Sequence, residues 1–199
     1  PQRDGKRIPV SKDPALRCQV QYCAPDWLIK QLSSEYGESV MDALLTDALG
    51  RPPVTLRRNP LAGDASAFLR AMGDISVEKH PLLPDCYRVQ GGDVTRTDAF
   101  AQGMFHVQDL ASQLCCLALD PQPGDTVLDL CAAPGGKSFT LAELMEDRGQ
   151  LYAFDLHTNR VKLIAQGAQR LHLQCVHAQT GDASIHNPEL PQADRGFFF

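Results

Sequence analysis

The first hundred residues alternate between helical and extended hydrophobic patterns, which is typical of a small α+β domain. Apolar residues at helical spacing predict three helices, over residues 26–36, 38–49 and 65–72. Shorter apolar runs predict three strands, over residues 54–57, 75–77 and 86–89. Asp64 is placed to cap the third helix. We assign residues 21–100 to this domain and residues 1–20 to an N-terminal extension.

From residue 101 onward, the pattern changes to a regular alternation of helices with apolar strands. The first helix begins at Val107 and keeps apolar residues at 3, 4, 7 spacing. Strands follow over residues 126–130, 151–155 and 173–176. Helices over about 137–145 and 158–171 separate these strands. This order predicts a parallel, doubly wound α/β sheet. Such sheets usually have more strands, so we expect residues 101–199 to hold an incomplete sheet whose fourth strand would begin near Ala193.

Composition excludes several classes of protein. With 43% apolar and 22% charged residues, the chain is globular rather than disordered or fibrous. It has no apolar run of about 18 residues and no signal-peptide pattern, which predicts a soluble, cytoplasmic protein without a membrane partner. Its seven cysteines are odd in number and lack the spacing of a zinc site. We therefore predict reduced thiols and no bound metal.

The charged residues alone do not indicate a nucleic-acid partner. Residues 1–100 hold 13 Lys and Arg against 13 Asp and Glu, whereas residues 101–199 hold 6 against 11. Arg51, Arg57 and Arg58 nevertheless form a basic segment without a neighbouring acid. Such a segment either contacts RNA or is solvated surface, and the sequence leaves both alternatives open.

Residues 129–137, with the sequence DLCAAPGGK, lie between a predicted strand and a predicted helix. Their small side chains let a ligand approach the backbone, and the helix start offers free N–H groups and a partial positive charge. We therefore expect an anionic group here. In a dinucleotide enzyme it would be a pyrophosphate. In a methyltransferase it would be the methionine carboxylate of the cofactor, which Lys137 would also neutralise.

Two acidic residues follow the next two strands. Asp155 comes 19 residues after Gly136, where an acid accepts hydrogen bonds from ribose hydroxyls. Asp182, in the loop after the third strand, is placed to reach the adenine side. A phosphate-binding P-loop would need glycine in place of Cys131, and the NAD fingerprint would need separated glycines. Both fail, which leaves a methyltransferase crevice or a tight turn without a ligand.

Three segments of the chain resemble the RNA cytosine-C5 methyltransferases. Residues 128–137 resemble the first cofactor motif of that family, and residues 107–112 resemble its V-Q-D-x-A-S helix start. Residues 53–59 resemble the P-x-x-L-R-x-N strand of its RNA-recognition-like domain. The resemblance runs from about Leu16 to Arg195 and is strongest to the bacterial B-type enzymes of small-subunit ribosomal RNA. It implies a Rossmann-like S-adenosylmethionine-dependent methyltransferase sheet preceded by a small α+β RNA-recognition-like domain.

The resemblance also implies a function and a set of site residues. The cofactor would be S-adenosyl-L-methionine, and the partner would be small-subunit ribosomal RNA, methylated at C5 of a cytosine. The cofactor-binding residues carried over by motif are Cys131, Ala132, Ala133, Pro134, Gly135, Gly136, Lys137, Asp155 and Asp182.

The catalytic part of the family pattern is absent from these 199 residues. The family's two cysteine motifs, D-A-P-C-S and T-C-S, do not occur, so we assign no catalytic residue. We expect the nucleophile beyond Phe199 and no methyl transfer by the chain alone. Two alternatives stay open, namely a non-catalytic RNA-binding or regulatory remnant of such an enzyme and a small-molecule methyltransferase. The upstream segments that match the RNA family argue against the second.

Overall fold

The computed structural model describes residues 14–50, 52–185, 187–188 and 190–197. They divide into two compact units, one up to residue 52 and one from residue 53 onward. The first unit contains three helices, α1 (Pro14–Tyr22), α2 (Asp26–Tyr36) and α3 (Glu38–Ala48). Their apolar faces enclose a small core of Tyr22, Ala24, Met41 and Leu45. The helices predicted over 26–36 and 38–49 are confirmed, although α3 ends one residue earlier than predicted.

The second unit begins with an antiparallel sheet in the strand order β2-β3-β1-β4. Its strands are β1 (Thr55–Arg58), β2 (Val77–Lys79), β3 (Cys86–Val89) and β4 (Phe105–Val107). Helices α4 (Ala65–Ala71) and α5 (Asp98–Ala101) accompany the sheet. Asp64 caps α4 as predicted, because its carboxylate accepts a hydrogen bond from Ala67 N at 2.6 Å. Leu56, Phe68 and Phe105 are buried in the shared core, so the predicted small α+β fold is confirmed.

The predicted start of the next helix is wrong. Val107 is the last residue of β4 and pairs with Leu56 of β1. Helix α6 (Leu110–Leu119) begins only after Asp109, whose carboxylate accepts a hydrogen bond from Ser112 N at 2.8 Å. Apolar spacing extended the helix to Val107, but a β-branched residue suits the ladder beside β1 better. Strand β4 therefore extends the first sheet past residue 100, and the domain boundary placed there stays a prediction.

Four further strands form a parallel sheet in the order β7-β6-β5-β8. They are β5 (Thr126–Asp129), β6 (Gln150–Asp155), β7 (Val176–Thr180) and β8 (Arg195–Phe197). Helix α7 (Gly136–Leu144) follows β5, and α8 (Thr158–Leu171) follows β6. Val127, Leu141 and Ile164 are fully buried in the core that these elements share. The predicted α/β fold with a parallel sheet is confirmed, and the fourth strand begins two residues after Ala193 and pairs with β5.

The third parallel strand lies later in the sequence than predicted. Leu173 and Cys175 are buried, but they belong to the segment that leads into β7. Pairing with β6 begins only at Val176, which lies opposite Leu151. Strand β7 stands at the end of the strand order and is partly exposed, so its polar residues hide it from a search for apolar runs.

Candidate cofactor site

The order of the parallel strands reverses at β5. From β5 the chain proceeds through β6 to β7 on one side, and β8 returns to the other side of β5. Loops that leave the carboxyl ends of strands at such a point diverge and leave a crevice for a ligand. The segment of residues 130–135 occupies this position, because it connects β5 to α7.

Close packing determines the shape of the turn between β5 and α7. Ala132 N donates a hydrogen bond to Phe154 O at 2.8 Å, which ties the turn to β6. Gly135 has a φ of +113°, and a Cβ atom built there would lie 2.3 Å from Cζ of Phe139. Backbone conformation and the adjacent ring therefore both require glycine at this position. As at any helix start, the first N–H groups of α7 have no acceptor within the helix.

The turn lines a cavity of about 320 Å³. Six of the predicted cofactor residues contribute to it, namely Cys131, Ala132, Ala133, Pro134, Gly136 and Lys137. The opposite wall comes from the end of β4 and the start of α6, and consists of Val107, Gln108, Asp109 and Ser112. Gly135 is not in this lining because it is buried against Phe139.

A second cavity, of about 340 Å³, opens beside the carboxyl ends of β5, β6 and β7. Leu130 and Phe154 form apolar parts of its wall, and Asp182 contributes a carboxylate. Asp182 Oδ1 accepts hydrogen bonds from Ser184 Oγ at 2.7 Å and from Ser184 N at 2.9 Å. These hydrogen bonds lower the pKa of the exposed Asp182. Leu130 of this cavity and Cys131 of the cavity of about 320 Å³ are consecutive residues of the β5–α7 turn.

Asp155 is placed between these loops but lines neither cavity. Its side chain is only 4% exposed and forms an ion pair with Arg160, from Oδ2 to Nη1 at 3.0 Å. Arg160 Nη2 also donates a hydrogen bond to Ala133 O at 2.9 Å, which links the acid to the β5–α7 turn. His157 N donates to Asp155 Oδ1 at 3.2 Å. The structure thus brings Asp155 to the turn through Arg160.

Asp129 closes the base of the turn. It is 1% exposed, and its Oδ2 accepts a hydrogen bond from Ser138 Oγ in the first turn of α7 at 2.6 Å. Burial raises the pKa of Asp129 above its ordinary value. The hydrogen bonds from Ser138 and from the Cys131 backbone, and the charge of Lys137, oppose this shift. Because its pKa is raised, ionisation of Asp129 lowers the stability of the folded state relative to the unfolded state.

The Asp129→Asn variant is expected to remove one specific pH dependence of stability. Because the folded state holds the Asp129 proton to higher pH than the unfolded state, the stability contributed by Asp129 is complete below its ordinary pKa. It falls as pH rises through the raised folded value. The unfolding free energy of wild type minus that of the variant should therefore decrease across this window, by at most about 1.4 kcal/mol per pH unit. Urea unfolding of both proteins at a series of pH values measures it. A difference that increases with pH would contradict the raised pKa.

The buried cysteines show no features of a nucleophile. Burial raises the pKa of Cys116 and of Cys175 to about 12, so both thiols stay protonated at neutral pH. Cys131 is exposed in the turn and lines the cavity of about 320 Å³. Cys116 and Cys175 are therefore packing residues, and Cys131 is part of the turn.

Within the basic segment near β1, Arg57 does not have the surface position that either sequence alternative assumed. Arg57 is 2% exposed, and its Nε forms an ion pair with Glu143 Oε2 on α7 at 3.0 Å. Arg58 Nε donates to Asp85 Oδ1 at 2.7 Å, and its Nη1 donates to Gly63 O at 2.6 Å. Arg51 lies outside the described residues. Arg57 is therefore an internal structural cation rather than an RNA contact or solvated surface.

Sequence reasoning missed three polar residues that hold the site together. Arg160 carried a usable signal, because it is a cation five residues after Asp155 at the start of the following helix. Gln108 carried a signal too, because it belongs to the V-Q-D-x-A-S segment at residues 107–112, whereas Thr140 carried none. The two side chains are buried and form a hydrogen bond at 2.7 Å. Thr140 lies on helix α7, where a polar residue is ordinarily interpreted as solvent-facing, so only the packing identifies it.

The described residues hold neither a cluster of metal-ligating side chains nor a helix that could cross a membrane. Among residues 14–50, 52–185, 187–188 and 190–197, no three His, Cys, Asp or Glu side chains are grouped so that they could hold a metal ion. In the same ranges, no helix combines the length and apolar character needed to cross a membrane.

Two protein-family models match the chain. The model described as 16S rRNA methyltransferase RsmB/F matches residues 116–195, which contain the parallel sheet and the β5–α7 turn. The model described as the RsmF/B-like ferredoxin-like domain matches residues 24–95. The two matches cover 80 and 72 residues, or 152 of 199, and both come from the same group of proteins.

Individual proteins resemble the chain over similar ranges. The probable ribosomal RNA small subunit methyltransferase B of Bacillus subtilis is 39% identical over 185 residues, which is 92% of this chain and 41% of that protein. The corresponding Synechocystis protein is 36% identical over 166 residues, or 81% of this chain and 37% of the relative. A solved methyltransferase homologue from Pyrococcus horikoshii is 25% identical with a TM-score of 0.74, covering 83% of this chain and 55% of that one. The chain thus spans about two fifths of the length of the two bacterial relatives.

Proposed function

Because the chain belongs to the 16S rRNA methyltransferase RsmB/F family, we propose that it is the cofactor-binding part of an enzyme that methylates C5 of a cytosine in small-subunit ribosomal RNA. One observation carries the proposal. A glycine-containing turn at the strand-order reversal is linked through Arg160 to a buried acid at the end of the next strand. S-adenosylmethionine, when bound, supplies a methyl group on a positively charged sulfur, which is the electrophile of the reaction.

The residues around the turn fit that cofactor. The α7 start presents N–H groups that have no acceptor within the helix toward a carboxylate, and Lys137 lines the same cavity with a positive charge. A carboxylate has about four lone-pair sites, and Arg160 and His157 N do not use all of those on Asp155, so it can still accept from ribose hydroxyls. The cavity of about 340 Å³ is within the size range of small-molecule sites, and its Leu130 and Phe154 suit a flat, weakly polar ring.

The chain's own residues would therefore hold and orient the cofactor. The α7 start and Lys137 would bind its amino-acid end, Asp155 its ribose, and Asp182 its adenine. The buried residues in the two linings, Phe154, Ala132 and Ala133, would shield the apolar parts of the cofactor from water. The nucleophile that attacks the cytosine belongs to the part of the family pattern that we expect beyond Phe199.

We predict that Asp155→Ala weakens cofactor binding by about 100-fold, because two hydrogen bonds from ribose hydroxyls to a charged acceptor are lost. Calorimetric titration with S-adenosylmethionine measures the Kd. Asp155→Asn keeps the shape and one oxygen acceptor, so its Kd should be intermediate, and thermal unfolding of each variant checks that it is folded. Saturable binding that is unchanged in Asp155→Ala would contradict the role of Asp155. No binding by folded wild type would contradict the cofactor site itself.

The reaction is tested with the full-length protein that contains this chain. Labelled S-adenosylmethionine and unmethylated small-subunit ribosomal RNA should give labelled 5-methylcytosine on nuclease digestion and chromatography. Label on another base, or on a different atom of cytosine, would contradict the proposed C5 transfer while leaving the cofactor site intact.

A further inference from the structure

Helix α7 carries a polar stripe although the helix is buried. Gly136, Thr140 and Glu143 stand at positions i, i+4 and i+7, so they share one face of the helix. Thr140 is 0% exposed and Glu143 is 2% exposed. Polar groups buried in this way are costly unless they form hydrogen bonds, so their partners determine what the stripe does.

The partner next to the β5–α7 turn is Gln108, which follows β4 of the antiparallel sheet. Its Oε1 accepts a hydrogen bond from Thr140 Oγ1 at 2.7 Å, and its Nε2 donates to Gly136 O at 3.1 Å. The Gln108 backbone is itself held by β1, because Gln108 N donates to Thr55 O at 3.1 Å and Thr55 Oγ1 donates to Gln108 O at 2.7 Å. Gln108 therefore connects the antiparallel sheet to the first turn of α7.

Further along α7, the same sheet holds the rest of the stripe. Arg57 of β1 forms the ion pair with Glu143, and His106 Nδ1 of β4 lies 3.4 Å from Glu143 Oε1. His106 Nε2 lies 3.3 Å from Thr140 Oγ1. Rotation or sliding of α7 relative to the sheet would break the Gln108 hydrogen bonds and the Arg57–Glu143 ion pair at buried positions, so these contacts oppose such movement.

We propose that Gln108 is a positioning residue for cofactor binding, which acts through Thr140 and Gly136 to hold the first turn of α7 in place. The inference rests on the proposed function, because it takes this turn as the site of the cofactor's carboxylate. Gly136 and Lys137 both line the cavity of about 320 Å³, so a shift of this turn moves the groups that would meet the cofactor. Displacements of about 1 Å in a site can cost on the order of 100-fold in function. The antiparallel sheet thus contributes to cofactor binding by positioning the first turn of α7.

The Thr140→Val variant tests this inference. It removes the hydroxyl at nearly constant shape, and Thr140 is absent from the linings of both cavities, so a direct cofactor contact is not at issue. We expect the Kd for S-adenosylmethionine, measured by calorimetry on the 199-residue chain, to rise about tenfold, which corresponds to one hydrogen bond. Thr140→Ser keeps the hydroxyl and should bind within about twofold of wild type.

Two further variants separate positioning from stability. Ile164→Val in the α8 core lowers the thermal midpoint without touching the stripe, and its Kd should stay at the wild-type value. Gln108→Met removes both Gln108 side-chain hydrogen bonds, and the Gln108→Met/Thr140→Val double variant should bind no more weakly than the weaker single variant, since both break one connection. If Thr140→Val does not fold, Gln108→Met alone carries the test, and an unchanged Kd in that variant overturns the positioning role.

The outcomes distinguish the two proposals. Wild-type binding with an unchanged Kd in Thr140→Val overturns the positioning role and leaves the cofactor site intact. The positioning role is also overturned if the losses of binding free energy in Gln108→Met and Thr140→Val add up in the double variant. It is likewise overturned if the Kd of Ile164→Val rises as its stability falls. No saturable binding by folded wild type overturns the proposed function, and the positioning role with it.

Discussion

Arg57→Met is expected to lower the free energy of unfolding by about 3–5 kcal/mol, because it leaves the Glu143 carboxylate buried without its main partner. The Arg57 and Glu143 side chains are 3% and 0% exposed, so water cannot replace the lost contact. Arg57 Nη1 also donates to Pro84 O at 3.3 Å, and that acceptor is left without this donor. A loss of this size is a large fraction of the stability of an ordinary domain. Chemical denaturation followed by circular dichroism measures it.

Two variants serve as controls for Arg57→Met. Arg88→Met lies on the neighbouring strand β3 at an exposed position, so it should change stability by less than about 0.5 kcal/mol. Arg57→Met combined with Glu143→Leu replaces the pair by apolar groups and should recover most of the loss, because no buried charge is left unpaired. If Arg57→Met lowered the free energy of unfolding no more than Arg88→Met does, the stabilising role of the buried ion pair would be contradicted.

Gly135→Ala is the second large effect that we expect, at about 2–6 kcal/mol of lost stability together with loss of S-adenosylmethionine binding. A φ of +113° strains any side chain by about 1–3 kcal/mol, and forcing a methyl group against a packed ring adds about 1–3 kcal/mol. The ring of Phe139 cannot move freely, because it also packs against Gly167, where an added Cβ would lie 2.3 Å from its Cζ. The clash can then be relieved only by movement of the turn, which displaces the start of α7.

Gly124→Ala is the matched control for Gly135→Ala. Gly124 has a φ of +100° in the turn before β5, but no atom lies within 4 Å of a Cβ built there. It should therefore show only the backbone strain of about 1–3 kcal/mol, with cofactor binding unchanged. Thermal unfolding and calorimetric titration of both variants make the comparison. Equal losses of stability in the two would mean that contact with Phe139 contributes nothing.

The β5–α7 turn could be predicted from the sequence because its chemistry is local. Small residues, two adjacent glycines and a following helix lie within ten positions, and the acid at the end of the next strand lies at a typical spacing. The structure places these residues where the order of the parallel strands reverses. The assignment of each residue to a part of the cofactor stays a prediction.

The sequence predictions were wrong at a strand on the edge of a sheet and at a residue that fits either a helix or a strand. Val107 fits the apolar face of α6 as well as it fits a strand, and the presence of β1 beside it decided between them. Among the described strands, β7 pairs with β6 alone, so its side chains did not need to be uniformly apolar. In both places the pattern within the segment was compatible with more than one structure.

The sequence by itself determined the alternation of strands and helices from β5 onward, the parallel character of the second sheet and the identity of the turn that we propose as the cofactor site. Each follows from spacing within about ten to twenty residues. Only the tertiary structure decided that Arg57 is internal, that Gln108 holds the start of α7 and that Arg160 joins Asp155 to the turn. Arg57 and Glu143 are 86 positions apart. Whether a charge is buried depends on such a distant partner, and no local pattern records it.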